Sequence, residues 1–161
     1  MTLRRGVRLA LDWGQARIGV AACDPDGVLA YPVETIVASM GEHHVEQRLD
    51  DLLAEYEPLE VILGLPRHLK GAEGEAAAHV RGRGEWLSER WRVPVRLVDE
   101  RLSTVSAAGA LRAAGRDARA QRGIIDQAAA VAILDHALDL ERNTGRPPGH
   151  LIDTGRKSDG P

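Results

Sequence analysis

Three short segments of alternating hydrophobicity, joined by tight turns, open this chain and restrict its fold more than anything that follows. Val7 to Trp13 sets Val7, Leu9 and Leu11 on one face and Arg8, Ala10 and Asp12 on the other. Gly14 turns the chain into a second segment, Arg17 to Cys23, and Asp24-Pro25-Asp26-Gly27 is a hairpin signal leading to a third, Val28 to Ile36. Segments linked this closely pair with their chain neighbours, so the pattern predicts an antiparallel meander of three strands.

The period then changes. Val45, Leu49, Leu52, Leu53 and Tyr56 recur at helical spacing and Pro58 follows, which predicts a surface helix with an apolar stripe. Val61-Ile62-Leu63 is continuously apolar, as a parallel strand covered on both faces should be. A loop, Gly64-Leu65-Pro66-Arg67-His68-Leu69-Lys70-Gly71, leads to a helix from Glu73 to Trp91 that Gly82 and Gly84 weaken. The run from Val93 to Asp99-Glu100 reads as the next strand. Ser103 or Thr104 can cap a helix that Gly115 stops. The last helix is expected from Gly123 to Arg142. The predicted fold class is therefore α/β, a mixed five-stranded sheet with helices on both faces, within one domain over residues 1–142. Residues 143–161 are rich in Gly and Pro with little to bury, and are expected to form a flexible tail.

Composition excludes several classes. No apolar run approaches the roughly 20 residues of a membrane helix, and nothing near the N-terminus resembles a secretory signal, so a soluble cytoplasmic protein is expected. The single cysteine, Cys23, cannot form an internal disulfide, and its strand position predicts a buried thiol. The six histidines show no metal-ligand spacing. A net charge of −3 argues at first against a nucleic-acid partner, but its distribution is uneven. Glu42 to Glu60 holds seven acidic residues against one Arg, whereas Arg112, Arg116, Arg119 and Arg122 face only Asp117. Arg4, Arg5, Arg8, Arg67, Lys70, Arg81 and Arg83 could extend the basic surface or could be solvated.

Three acids sit where apolar elements begin or end: Asp12 in Leu9-Ala10-Leu11-Asp12-Trp13-Gly14, Glu100 after the strand from Val93, and Asp126 at the start of Ile124-Ile125-Asp126-Gln127-Ala128-Ala129-Ala130. Asp126, Ala129, Ala130, Ile133 and Ala137 form one helical stripe, and small side chains let a helix approach a sheet closely. If that stripe packs over the face carrying Ala10, the helix's first turn brings Asp126 toward Asp12, and Glu100 could complete the cluster. Three carboxylates together repel one another and suit Mg²⁺ or Mn²⁺ through oxygen ligands. Two such ions would activate water and stabilise the departing oxygen in phosphodiester hydrolysis, with Asp12 bridging both and Glu100 and Asp126 each completing one site. Asp99 is the reserve for Glu100, because adjacent strand residues point oppositely. Taken singly, each acid could equally be a cap or a solvated terminus, and Asp126 near a helix start would favour the dipole unaided.

These patterns, from Arg8 to Leu140, resemble the YqgF/RuvX family of pre-16S ribosomal RNA nucleases and Holliday-junction-resolvase-like proteins, whose fold is ribonuclease H-like. The resemblance implies that Asp12, Glu100 and Asp126 correspond to the family's active-site acids, and that the partner is nucleic acid. Gly64-Leu65-Pro66 resembles the family's segment beside the active site, where Arg67 and Lys70 would contact phosphate; Arg17 has the same status. Arg112, Arg116, Arg119 and Arg122 match a backbone-binding loop, thinner in charge than is usual for the family. Arg101 is either half of a surface pair with Glu100 or a group that orients a ligand carboxylate or a phosphate. Trp13 stands where proline is common, and the helix with Gly82 and Gly84 lacks the usual phenylalanine.

The expected activity is a metal-dependent nuclease acting on the 5′ end of precursor 16S rRNA. The alternative substrate is a branched DNA such as a Holliday junction, which calls for symmetric cutting and hence a homodimer. An actin-like nucleotide phosphotransferase, suggested by Asp12-Trp13-Gly14 and Gly19, would need two lobes, and 161 residues supply one. A non-catalytic nucleic-acid-binding scaffold would have no need of all three acids.

Overall fold

The computed structural model describes residues 3–66, 74–99 and 118–152, the side chains of 118–123 excepted. Strands β1 (Arg8–Trp13), β2 (Arg17–Cys23) and β3 (Ala30–Val37) form the expected antiparallel meander. Strand β4 (Glu60–Leu65) runs parallel to β1, and β5 (Val95–Asp99) runs parallel to β4. A short strand β6 (His150–Leu151) pairs antiparallel with β5, so the order is β3-β2-β1-β4-β5-β6. The sheet thus has six strands, not the five the sequence predicts.

The sixth strand lies in the segment expected to be a flexible tail. Among the described residues of that segment, 143–152, the last helix runs on to Thr144 and the chain then turns back onto β5. Gly149 makes the turn at φ +64, where a Cβ would overlap the Leu97 carbonyl oxygen. The Ile152 N–H donates to the Val95 carbonyl at 2.9 Å. Two strand residues are too few for an alternation to be read, and two prolines precede them.

Each face of the sheet is covered by a different set of elements. Leu9, Leu11, Ile18, Val20, Leu63 and Leu97 pack with helices α1 (Glu42–Tyr56) and α2 (Glu75–Trp91), which contribute Val45, Leu49, Leu52, Val80 and Leu87. Ala10, Ala21, Cys23, Ile62 and Val98 pack beneath helix α3 (Ala118–Thr144), which contributes Ala130, Ile133, Leu134 and Ala137. Alanine on both sides of this second interface is what lets α3 lie close to the sheet. Cys23 is buried as expected, and burial pushes its thiol up from the usual range. No helix of the described residues is long and apolar enough to cross a membrane.

One departure from the expected boundaries has a local cause. Strand β3 starts at Ala30 rather than Val28 because the Asp24 carboxylate accepts the N–H groups of Asp26, Val28 and Leu29, at 3.0, 2.9 and 2.6 Å, and holds them in the turn. In α2, Gly84 makes room for neighbours: a Cβ there would collide with Ile152 and stand 3.0 Å from Leu63. Gly82 has nothing within 4 Å and is a helix weakener only.

Candidate active site

Asp12 lies one residue from the end of β1, where the pleat puts it on the α3 face with Ala10. Its register partner on β2 is Gly19, and Gly19 pairs in turn with Thr35 on β3. Asp12, Gly19 and Thr35 therefore form a row across the sheet on one face.

Helix α3 crosses that row at Asp126. A Cβ on Gly19 would overlap the Asp126 carbonyl oxygen and would stand 3.0 Å from the Asp126 Cβ. Only glycine allows the helix backbone so near the strand. Directly paired residues on antiparallel strands have Cβ atoms about 5 Å apart, so the Cβ atoms of Asp12 and Asp126 are at most roughly 8.5 Å apart. Two aspartate side chains can bridge that span through one oxygen-coordinated cation. Hard carboxylate donors suit Mg²⁺ or Mn²⁺, and the donor chemistry of this pair fits such an ion. Among the described residues no group of three potential ligands is present.

Asp126 is not at a helix start. Helix α3 begins at Ala118, two turns before Asp126, because the helix continues through Gly123, which the sequence reading took as its beginning. A cap or dipole role for this carboxylate is thereby removed. Two polar contacts flank the crossing. Gln127 Nε2 donates to Thr35 Oγ1 at 3.0 Å, and Arg17 Nε donates to Asp126 Oδ2 at 2.7 Å. Both side chains of the ion pair are partly open to solvent, Arg17 34% and Asp126 18% exposed. Arg17, expected on phosphate, is thus found on one of the proposed ligands. Thr35 and Gln127 carry no sequence signal, and Gly19 enters the sequence reading only in the nucleotide-phosphotransferase alternative. The signal for Gly19 was its place opposite Asp12 across the hairpin.

Asp99, the reserve ligand, ends β5 on the face of Val95 and Leu97, opposite that of Val98 and Asp12. Glu100, Arg67, Lys70, Arg101, Arg112 and Arg116 lie outside the described residues, and Arg119 and Arg122 are on α3 with their side chains outside them.

Several other cations have structural partners. Arg8 is buried and binds Glu141 at 3.1 Å; Arg4 binds Glu141 at 2.6 Å and Glu60 at 2.7 Å; Arg96 binds Glu60 at 2.7 Å. This correction to the basic surface follows from strand alternation, which puts Arg8 beneath α3. Arg83 binds Glu42 of the acidic helix at 2.5 Å and lies over the Trp13 ring at 5.3 Å, so Trp13 is packed beneath a neutralised cation.

An antiparallel β1–β3 meander continued by parallel β4 and β5, in the order β3-β2-β1-β4-β5 with helices on both faces, is a ribonuclease H-like α/β layout. Two solved structures of Thermus thermophilus RuvC share this fold: one in complex with a Holliday junction substrate has a TM-score of 0.54 at 19% identity over 88% of this chain and 99% of that one. The other has a TM-score of 0.52 at 18% identity over 88% and 98%. The chain belongs to the RuvX family, whose profile, described as Holliday junction resolvase, matches residues 6–140. Relatives include a protein of Streptomyces coelicolor, 57% identical over 94% of this chain and 90% of its own, and one of Cutibacterium acnes, 58% identical over 85% and 84%. A third, from Thermobifida fusca, is 52% identical over 94% and 98%. All three have the assigned name pre-16S rRNA nuclease.

Proposed function

We propose that this protein is a divalent-metal-dependent nuclease that processes the 5′ end of precursor 16S rRNA in the cytoplasm. The observation that carries the reading is the contact of Asp126 with Gly19, the register partner of Asp12, which gathers two distant acids on one face. The names of its relatives supply the substrate.

Asp12 and Asp126 would hold the cation, with Glu100 as the third ligand; the alternation that sends Asp99 to the α2 face supports Glu100 over its neighbour. The cation, Mg²⁺ or Mn²⁺ and in the two-ion form a pair, would activate a water and stabilise the departing 3′ oxygen. Asp12 and Asp126 set where that chemistry occurs, and Gly19 and the Gln127–Thr35 hydrogen bond fix the helix that carries Asp126. Arg67, Lys70, Arg101 and the Arg112, Arg116, Arg119 and Arg122 group are proposed to hold the phosphate backbone.

A second reading, resolution of branched DNA by a homodimer, is favoured by the description of the matching family. Both are tested by incubating the protein, with Mg²⁺, Mn²⁺ or EDTA, on a labelled precursor rRNA fragment and on a four-way DNA junction. The expected result is metal-dependent cutting of the RNA, abolished in Asp12→Asn. Cutting of the junction alone would establish the second reading. Binding without cutting of either substrate would leave a scaffold.

A further inference from the structure

Arg17 is placed to do more than contact phosphate. It opens β2 on the face of Gly19, hence on the face of Asp12, and its guanidinium holds one oxygen of Asp126 at 2.7 Å. The helix does not depend on this contact for its position. Gly19 sets the approach of the Asp126 backbone, and Gln127 ties the next residue to Thr35. What Arg17 determines is the direction of the carboxylate and the charge beside it. A divalent cation taken up by Asp126 meets that positive charge at a few ångströms, and the two repel. The pair is partly solvated, so the guanidinium can leave without exposing a buried charge.

We propose that Arg17 is a positioning residue that exchanges partners: cation uptake by Asp126 displaces its guanidinium, which then takes a phosphate oxygen of the bound strand. Metal loading and strand binding are thereby coupled, since a phosphate that accepts Arg17 removes the group competing for Asp126. This inference rests on the metal-dependent reading above.

The test is calorimetric titration of Mn²⁺ into wild type, Arg17→Gln, Arg17→Lys and Asp126→Asn, each alone and with a 2′-O-methyl RNA strand that is not cleaved. Far-ultraviolet circular dichroism checks that each variant is folded. Without RNA, Arg17→Gln should bind Mn²⁺ several-fold more tightly than wild type, and Arg17→Lys, which keeps the charge, should stay near it. Adding the strand should tighten Mn²⁺ binding by wild type more than by Arg17→Gln, in which only the strand's own phosphates act on the ion. Mn²⁺ affinity in Arg17→Gln that equals or falls below wild type would overturn the exchange, while loss of binding in Asp126→Asn would keep the metal reading intact. Absence of saturable Mn²⁺ binding in wild type, or binding indifferent to Asp126→Asn, would overturn both.

Discussion

Helix α3 carries an acid over each end of the sheet, and the two ends are built differently. At the far end Glu141 and Glu60 are sealed, 3% and 1% exposed, and three arginines, Arg4, Arg8 and Arg96, hold them. At the near end Asp126 lies against Gly19, the register partner of Asp12, and its ion pair with Arg17 is partly open to water. Sealed carboxylates matched by fixed cations serve stability. Carboxylates on one face with partial access to water, beside a partly exposed arginine, suit the exchange with ligands proposed for this end.

The largest expected effect comes from breaking the sealed end. Glu141→Ala leaves Arg8 buried without its carboxylate, and should cost about 3–5 kcal/mol in urea unfolding while metal binding by the folded fraction is retained. The same end should give the acid sensitivity. Burial works to raise the Glu141 carboxyl, but Arg4 and Arg8 outweigh it and hold the group below its ordinary range. A carboxyl depressed in the folded state contributes stability above its unfolded pKa, near 4.3, and loses it as pH falls through the folded value. Wild type should therefore weaken below about pH 4, and Glu141→Gln should flatten that part of the profile.

Gly19→Ala should strike both properties. The added methyl meets the Asp126 backbone, which cannot swing aside as a side chain can, and overpacking of this kind costs about 1–3 kcal/mol. Nuclease activity should fall with it, because α3 must move off Asp12. Loss of stability with full activity would separate Gly19 from the site. Gln127→Ala removes one hydrogen bond and should cost about 1 kcal/mol, with a smaller loss of activity. The smallest effects belong to α2. Gly82→Ala should stabilise by about 0.5–1 kcal/mol, because its surroundings are open. Gly84→Ala should fail to gain, because the methyl collides with Ile152.

What the sequence disclosed, and what it withheld, follows the range of its signals. Strand alternation located β1 and β2 to within a residue, and it put Asp12 on the face of Ala10. Of the helical stripe, Ala130, Ile133 and Ala137 are in the surface that covers this face. Strand β6 was illegible because His150 and Leu151 give no period, and pairing with β5 is a long-range event. The start of α3 was misplaced because Gly123 reads locally as a break, although the helix passes through it. Arg8 reads as a surface cation and Arg17 as a phosphate contact because a pattern shows the face a side chain occupies and not the acid it will meet there.

Sharing of one divalent cation by Asp12 and Asp126 is the proposal on which the nuclease reading depends. The most direct measurement is anomalous diffraction at the manganese edge from crystals of the protein grown with Mn²⁺. A peak is expected between the two carboxylates, lost in Asp126→Asn. A manganese peak elsewhere, or none with both side chains ordered, would contradict it.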